Sequence, residues 1–278
     1  IDISGEIKNT RQKMEGLSLE NALFTLAFSI NHVQNYAQIK ENTIESTRGL
    51  LFSRLFGSMH MNREGLILAQ VPPSLGIGDD ENAKCTWANM MRSVKIGHEL
   101  AVKAAIEPAR YCILSEHHIS DEIFYTYLTN NPFIRQGHEY LYSKGLFAGL
   151  NGDFATAAHL LIPQIESSLR YVLEQHGVET TILKEGVQEY WTLGKILSHE
   201  IIIEVLGEDI VYELQSLLIE KLYSNIRNEM AHGLVHAGHF FQPAVQYLWW
   251  LTLRLCLTPF YAGWNMQSEN QLAEEMHA

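Results

Sequence analysis

The sequence predicts an all-helical protein on three observations. Apolar residues recur at intervals of three and four in one segment after another, strand-like alternation is scarce, and turn-forming residues separate the segments. From Leu17 to about Glu45, the residues Leu23, Leu26, Ala27, Ile30 and Val33 form one stripe, the pattern of an amphipathic helix. A second helix is expected across Thr47 to Met59. Val71 to Asp80 holds Pro72, Pro73, Gly76 and Gly78 and reads as a loop or hinge. Asp80 to Ala109 returns to helical spacing, with Trp87, Met90, Met91, Val94 and His98 on one side, and Asp121 to Leu128 predicts a short helix.

Asn130-Asn131-Pro132 is the next break, because the residue before a proline disfavours helix. It divides the chain into an N-terminal helical domain, residues 1–130, and a second helical domain, residues 131–278. Helices are expected in the second near 135–150, 153–176, 188–200, 207–232 and 243–258. Gly152-Asp153 reads as a tight turn between two of them. Leu146, Ala148, Gly149, Phe154 and Ala157 around it suit a helical hairpin, although no recurrence of about 34 residues marks a repeat protein.

A chain of 278 residues can build one large core or two ordinary ones. A formal charge of −12 gives no general attraction for polyanions, since a non-specific nucleic-acid binder displaces counterions with a basic face. Any nucleic-acid contact must therefore be local. Cys85, Cys112 and Cys256 are odd in number, widely spaced and without a CxxC, which suggests neither a disulfide framework nor a thiolate zinc site. No metal or cofactor is expected, and a reducing, cytoplasmic setting fits. Ala244 to Trp264 is the most apolar stretch, but Gln246, Arg254 and Pro259 interrupt it, so it reads as a buried helix and not a membrane span. The chain opens on Ile1, which leaves a preceding domain or membrane anchor as an open expectation.

Several motifs fail on inspection. Gly76-Ile77-Gly78 lacks a preceding strand, a third glycine and a P-loop lysine. His98-Glu99, His138-Glu139 and His199-Glu200 do not make a zinc-protease helix, because the position four after each histidine is Val102, Tyr142 or Ile203. His232, His236 and His239 would share a face only on an unbroken helix, which Gly233 and Gly238 oppose. Trp87, Trp249 and Trp250, at helical spacing beside leucines, read as core and not as base-stacking platforms.

One constellation carries chemistry: Ile226-Arg227-Asn228-Glu229-Met230-Ala231-His232-Gly233. At about 100° per residue, Asn228 and His232 stack on one helix face while Arg227 and His232 diverge by about 140°, so Asn228 is a candidate orienter of the imidazole. Ser224 is a candidate cap for a helix beginning at Asn225. Arg227 would then lie in the first turn, where free N–H groups and a bidentate guanidinium favour phosphate. Glu166 and Arg170, four apart, and His159, seven residues before Glu166, lie on much the same helix face. They read either as the lining of a cleft or as an internal ion pair with a satisfied histidine.

Arg227, Asn228, His232 and Gly233 reproduce the RNxxxHG form of the arginine-x4-histidine pattern, and the chain resembles the HEPN superfamily. The similarity is to the subfamily that includes the domain of the endoplasmic-reticulum-associated RNA degradation protein. It extends over roughly residues 130 to 235, through Asn131-Pro132-Phe133, the run from Gly145 to Phe154, the run from His159 to Glu166, Arg170, Thr192-Leu193-Gly194 and Leu206-Gly207-Glu208-Asp209. The resemblance implies a HEPN-like helical bundle and a homodimer in which two motifs form one metal-independent endoribonuclease site. His232 of each chain would share acid and base duties, and Arg227 would stabilise the phosphorane. The aromatic run Tyr247-Leu248-Trp249-Trp250 is one candidate for the dimer contact. A defence, toxin or RNA-surveillance role is implied, with restraint supplied by the N-terminal helices, a regulatory partner or a missing domain. The alternative is a non-catalytic helical module that binds RNA or a nucleotide, or only dimerises.

Overall fold

The computed structural model describes residues 2–49, 58–61, 67–71 and 79–266, and these are mainly helical. In chain order the elements begin with α1 (Ser4–Met14) and α2 (Leu19–Phe24), which runs on into a π-helical turn, Thr25–Ser29. Next come α3 (Tyr36–Gly49), the antiparallel strands β1 (Ser58–Met61) and β2 (Ile67–Val71), and α4 (Asp79–Ala101). A second π-helical turn, Val102–Ile106, leads to α5 (Glu107–Glu116), and α6 (Tyr125–Leu128) follows. The pair α7 (Glu139–Leu150) and α8 (Phe154–Gln175) precedes the antiparallel strands β3 (Thr181–Lys184) and β4 (Val187–Tyr190). The last helices are α9 (Leu193–Leu197), α10 (Glu200–Leu206), α11 (Glu208–Leu218), α12 (Ile226–Ala231) and α13 (Pro243–Leu257).

The chain forms two compact units, each assembled from separated stretches. The first draws on Ile1–His32, Leu100–Trp191 and His236–Ala278, the second on Val33–Glu99 and Thr192–Val235. The break at Asn130-Asn131-Pro132 lies inside the first unit, where buried Asn131 is tethered: its Nδ2 donates to the carbonyls of Tyr127 and Cys256.

In the first unit α13 is the centre, with Tyr247, Trp249 and Trp250 almost wholly buried by their own chain. Those aromatics are therefore core, which corrects the expectation that they form a dimer contact. Each indole N–H finds a backbone carbonyl: Trp249 donates to Leu146 at 3.0 Å and Trp250 to Leu26 at 2.7 Å. Leu26 lies in the first π-helical turn, where the usual helical ladder is opened. Arg254 takes the next carbonyl, Ala27, at 2.8 Å, and Thr10 takes that of Ala104 in the second π-helical turn at 3.1 Å. Gly149 allows α7 to meet the Trp249 indole; a Cβ there would stand 2.1 Å from the ring. The α7–α8 turn follows the sequence expectation, with Gly152 at φ 85° and the Asp153 carboxylate accepting the Thr156 N–H.

Three expected helices end differently. The one from Leu17 to Glu45 is divided by the π-helical turn and by Asn35, whose side chain caps α3 by accepting the Gln38 N–H at 2.8 Å. The helix expected at 188–200 is instead β4, α9 and α10. Glu185 and Gly186, both at positive φ (51° and 83°), close a two-residue turn that turns β3 back on β4, and Thr192 and His199 cap the two short helices. The helix expected at 207–232 is interrupted between α11 and α12. Of the helix expected at Thr47 to Met59, residues 47–49 end α3, 58 and 59 begin β1, and the rest lies outside the described residues, as does most of the loop expected at Val71 to Asp80. Among the described residues no helix is long and apolar enough to cross a membrane.

Candidate functional site

The motif sits in the second unit, on a helix of six residues. α11 ends at Leu218, and the chain turns through 219–225 before α12 begins at Ile226, which is buried and anchors the helix. Asn225 holds the N-cap position in the left-handed region, at φ 48° and ψ 23°. Ser224 therefore does not cap the helix. Its hydroxyl is buried and has no hydrogen-bond partner among the described residues.

Asn228 likewise departs from expectation. Its Nδ2 donates to Asn225 Oδ1 at 2.8 Å and its Oδ1 accepts from Arg227 Nη1 at 3.1 Å, so it links Arg227 to the left-handed turn and does not orient the imidazole. The reason is that α12 stops at Ala231. His232 is the C-cap residue, at φ −93° and ψ 1°, and meets Asn228 only through the backbone, its N–H donating to the Asn228 carbonyl at 3.1 Å. Gly233 completes the stop at φ 69°: its N–H donates to Met230 and that of Leu234 to Glu229, the paired bonds of a Schellman turn. His232 is left exposed at this end, and Arg227 and Asn228 are half-buried. Glu229 between them is also half-buried, and burial pushes its carboxyl above the ordinary range.

His159, Glu166 and Arg170 belong to the first unit, on α8. Glu166 and Arg170 form an ion pair. Arg170 Nη2 also donates to the Trp191 carbonyl at 3.2 Å, with the guanidinium 5.4 Å from the Tyr190 ring, so this arginine clamps the base of the β3–β4 hairpin to α8. His159 is exposed, its Nδ1 bonded to the Ala155 carbonyl at 2.8 Å and its ring against Phe240. For these three the internal reading accounts for the contacts observed. Among the described residues no three histidine, cysteine or acidic side chains gather as a metal site would require.

Sequence reasoning missed a polar chain in the core of the second unit. His98 on α4 and Glu213 on α11 have no solvent exposure, and His98 Nε2 lies 2.5 Å from Glu213 Oε2. His98 Nδ1 lies 3.0 Å from the hydroxyl of Tyr223, in the turn before α12. Glu213 Oε1 accepts the Gln34 N–H at 3.1 Å. The available signal was a histidine in line with the apolar stripe of Met90, Met91 and Val94, a position that needs a buried partner. Comparison of the chain with models of known protein families, with curated proteins and with solved structures gives no match.

Proposed function

We propose that the chain is a metal-independent endoribonuclease of HEPN type, acting as a homodimer that joins two Arg227–His232 motifs at one RNA-cleaving site. The observation that carries this reading is the state of His232. It is an exposed imidazole at the end of a short helix, with no side-chain hydrogen bond among the described residues, five positions from an arginine. Such a group has room to move a proton. Cleavage by internal attack removes the 2′-OH proton, spreads negative charge over a phosphorane and protonates the departing 5′ oxygen. A single histidine cannot be base and acid at the same instant, so the second proton transfer falls to His232 of another copy. Arg227 stabilises the phosphorane, its guanidinium steadied by Asn228. A six-residue helix sums few peptide dipoles, so phosphate binding rests on the side chains more than on the helix end.

RNA cleavage in EDTA by the wild type, Arg227→Ala and His232→Ala proteins tests this. The expected products carry a 2′,3′-cyclic phosphate and a 5′-OH, and each substitution lowers kcat by a factor on the order of 10² or more. Equal activity in all three sinks the reading. Co-refolding wild type with an equal amount of His232→Ala adds a test of the shared site. Relative to wild type at the same total chain concentration, activity should fall to about a quarter if both histidines are needed, and to about half if each chain acts alone.

A second reading has its own support: the charge of −12 and the presence of Glu229 inside the motif weigh against cleavage of a polyanion, which leaves a helical module that holds RNA or a nucleotide only locally, or only dimerises, without cutting. RNA retention without cleavage favours it.

A further inference from the structure

We propose that Tyr223 is a positioning residue for the helix that carries Arg227 and His232, acting through the buried chain Glu213–His98–Tyr223. The inference rests on the reading that those two residues act on RNA, and adds what holds them in place. α4 grips the turn before α12 at two points. Near its start the Trp87 indole N–H donates to Glu220 Oε2 at 2.8 Å, and near its end His98 meets the Tyr223 hydroxyl. The turn is closed on itself as well, since Leu222 N–H donates to Glu220 Oε1 and Tyr223 N–H to the Glu220 carbonyl. Two attachments on one helix fix the rotation of the turn as well as its place.

The next residues explain why that matters. Ser224 and Asn225 are buried, and Asn225 takes the left-handed conformation that asparagine adopts more readily than other non-glycine residues, so the chain turns sharply here. The direction of α12 is set there, one residue after Ser224 and two after Tyr223. A small rotation at this point is carried to Arg227 and His232, and loss of alignment at the reacting atoms lowers the rate far more than it lowers binding.

The polar chain has one consistent sense. Burial first, then the nearby Glu213 and Glu99, push the Tyr223 phenol up, so its O–H remains the donor. With its hydrogen directed to Nδ1 of His98, the matching tautomer carries the imidazole hydrogen on Nε2, facing Glu213. A buried polar pair is a weak source of stability compared with apolar packing of the same volume, and what it can supply is a single arrangement. The Tyr223 ring also packs against the apolar cluster of Met90, Met91, Val94 and Tyr212.

Tyr223→Phe keeps the ring and removes one oxygen. Hydrogen exchange on the full chain should then quicken at least tenfold at the amides of 226–231 while α8 and α13 stay within twofold of wild type. In RNA cleavage kcat should fall at least tenfold with KM within about twofold. Glu213→Gln, which keeps the size of the side chain, should do the same in weaker form. Unchanged exchange at α12 overturns the proposal, and so does acceleration spread over the whole chain, which would mark the network as merely stabilising. A wild type that does not cleave RNA removes the nuclease reading, and the exchange data alone then decide whether Tyr223 positions α12.

Discussion

The cores of the two units solve the same problem with different materials. In the first, the two buried indoles of α13 are neutral donors: Trp249 and Trp250 end on backbone carbonyls, one of them in a π-helical turn. In the second, the centre contains a carboxylate and an imidazole with no solvent exposure, joined to a tyrosine. The first arrangement gains from packing and is indifferent to protonation. The second is worth having only if each partner is present, because a lone charge in that position is far less tolerable than a matched pair. The motif belongs to the second unit, so constraint on it is expected from the polar chain there and not from the aromatic centre of the first.

The largest effect should come from the aromatic core. Trp249→Ala leaves a cavity and removes the indole bond to the Leu146 carbonyl, and should lower unfolding stability by about 3–5 kcal/mol in a urea titration. A loss under about 1 kcal/mol would mean that α13 is not the packing centre. Glu213→Ala should cost about 3 kcal/mol, yet replacing both Glu213 and His98 by leucine should restore most of that stability while leaving RNA cleavage impaired. If the double variant cleaves at the wild-type rate, the contrast between the cores has no bearing on function. The smallest effect concerns Glu229, whose carboxyl is pushed above its ordinary value of 4.5 by burial. Below that value it is protonated in folded and unfolded chains alike. As pH rises through the raised folded value, the folded state bears the penalty of a half-buried charge. Glu229→Gln should therefore raise Tm slightly at pH 7 and leave it unchanged near pH 4; the same gain at both would assign it to something other than charge.

How much of this was legible in the sequence follows from range. α8 and α13 stand close to where periodicity puts them, because an apolar stripe and an Asp153 cap or a first-position proline are local signals. The hairpin at 181–190 had a local signal as well, a Glu185-Gly186 pair between short β-branched runs, which a search for helical spacing passes over. The helix end at Gly233 followed from glycine chemistry. The partner of Asn228 was not legible, since uniform helical geometry from 224 onward hides the left-handed Asn225. Nor was the polar chain: His98 and Glu213 lie 115 residues apart, and nothing local to either names the other.

The carbonyls opened by the first π-helical turn have a further consequence, in the making of the protein. Leu26 and Ala27 wait for Trp250 and Arg254, which lie 224 and 227 residues later in the chain. At about 5–20 residues per second, a ribosome takes roughly 10 to 45 seconds to supply them. Until then the early segment has an incomplete ladder and no α13 to cover it. Cutting the chain near residue 130 would leave each half without partners the other holds.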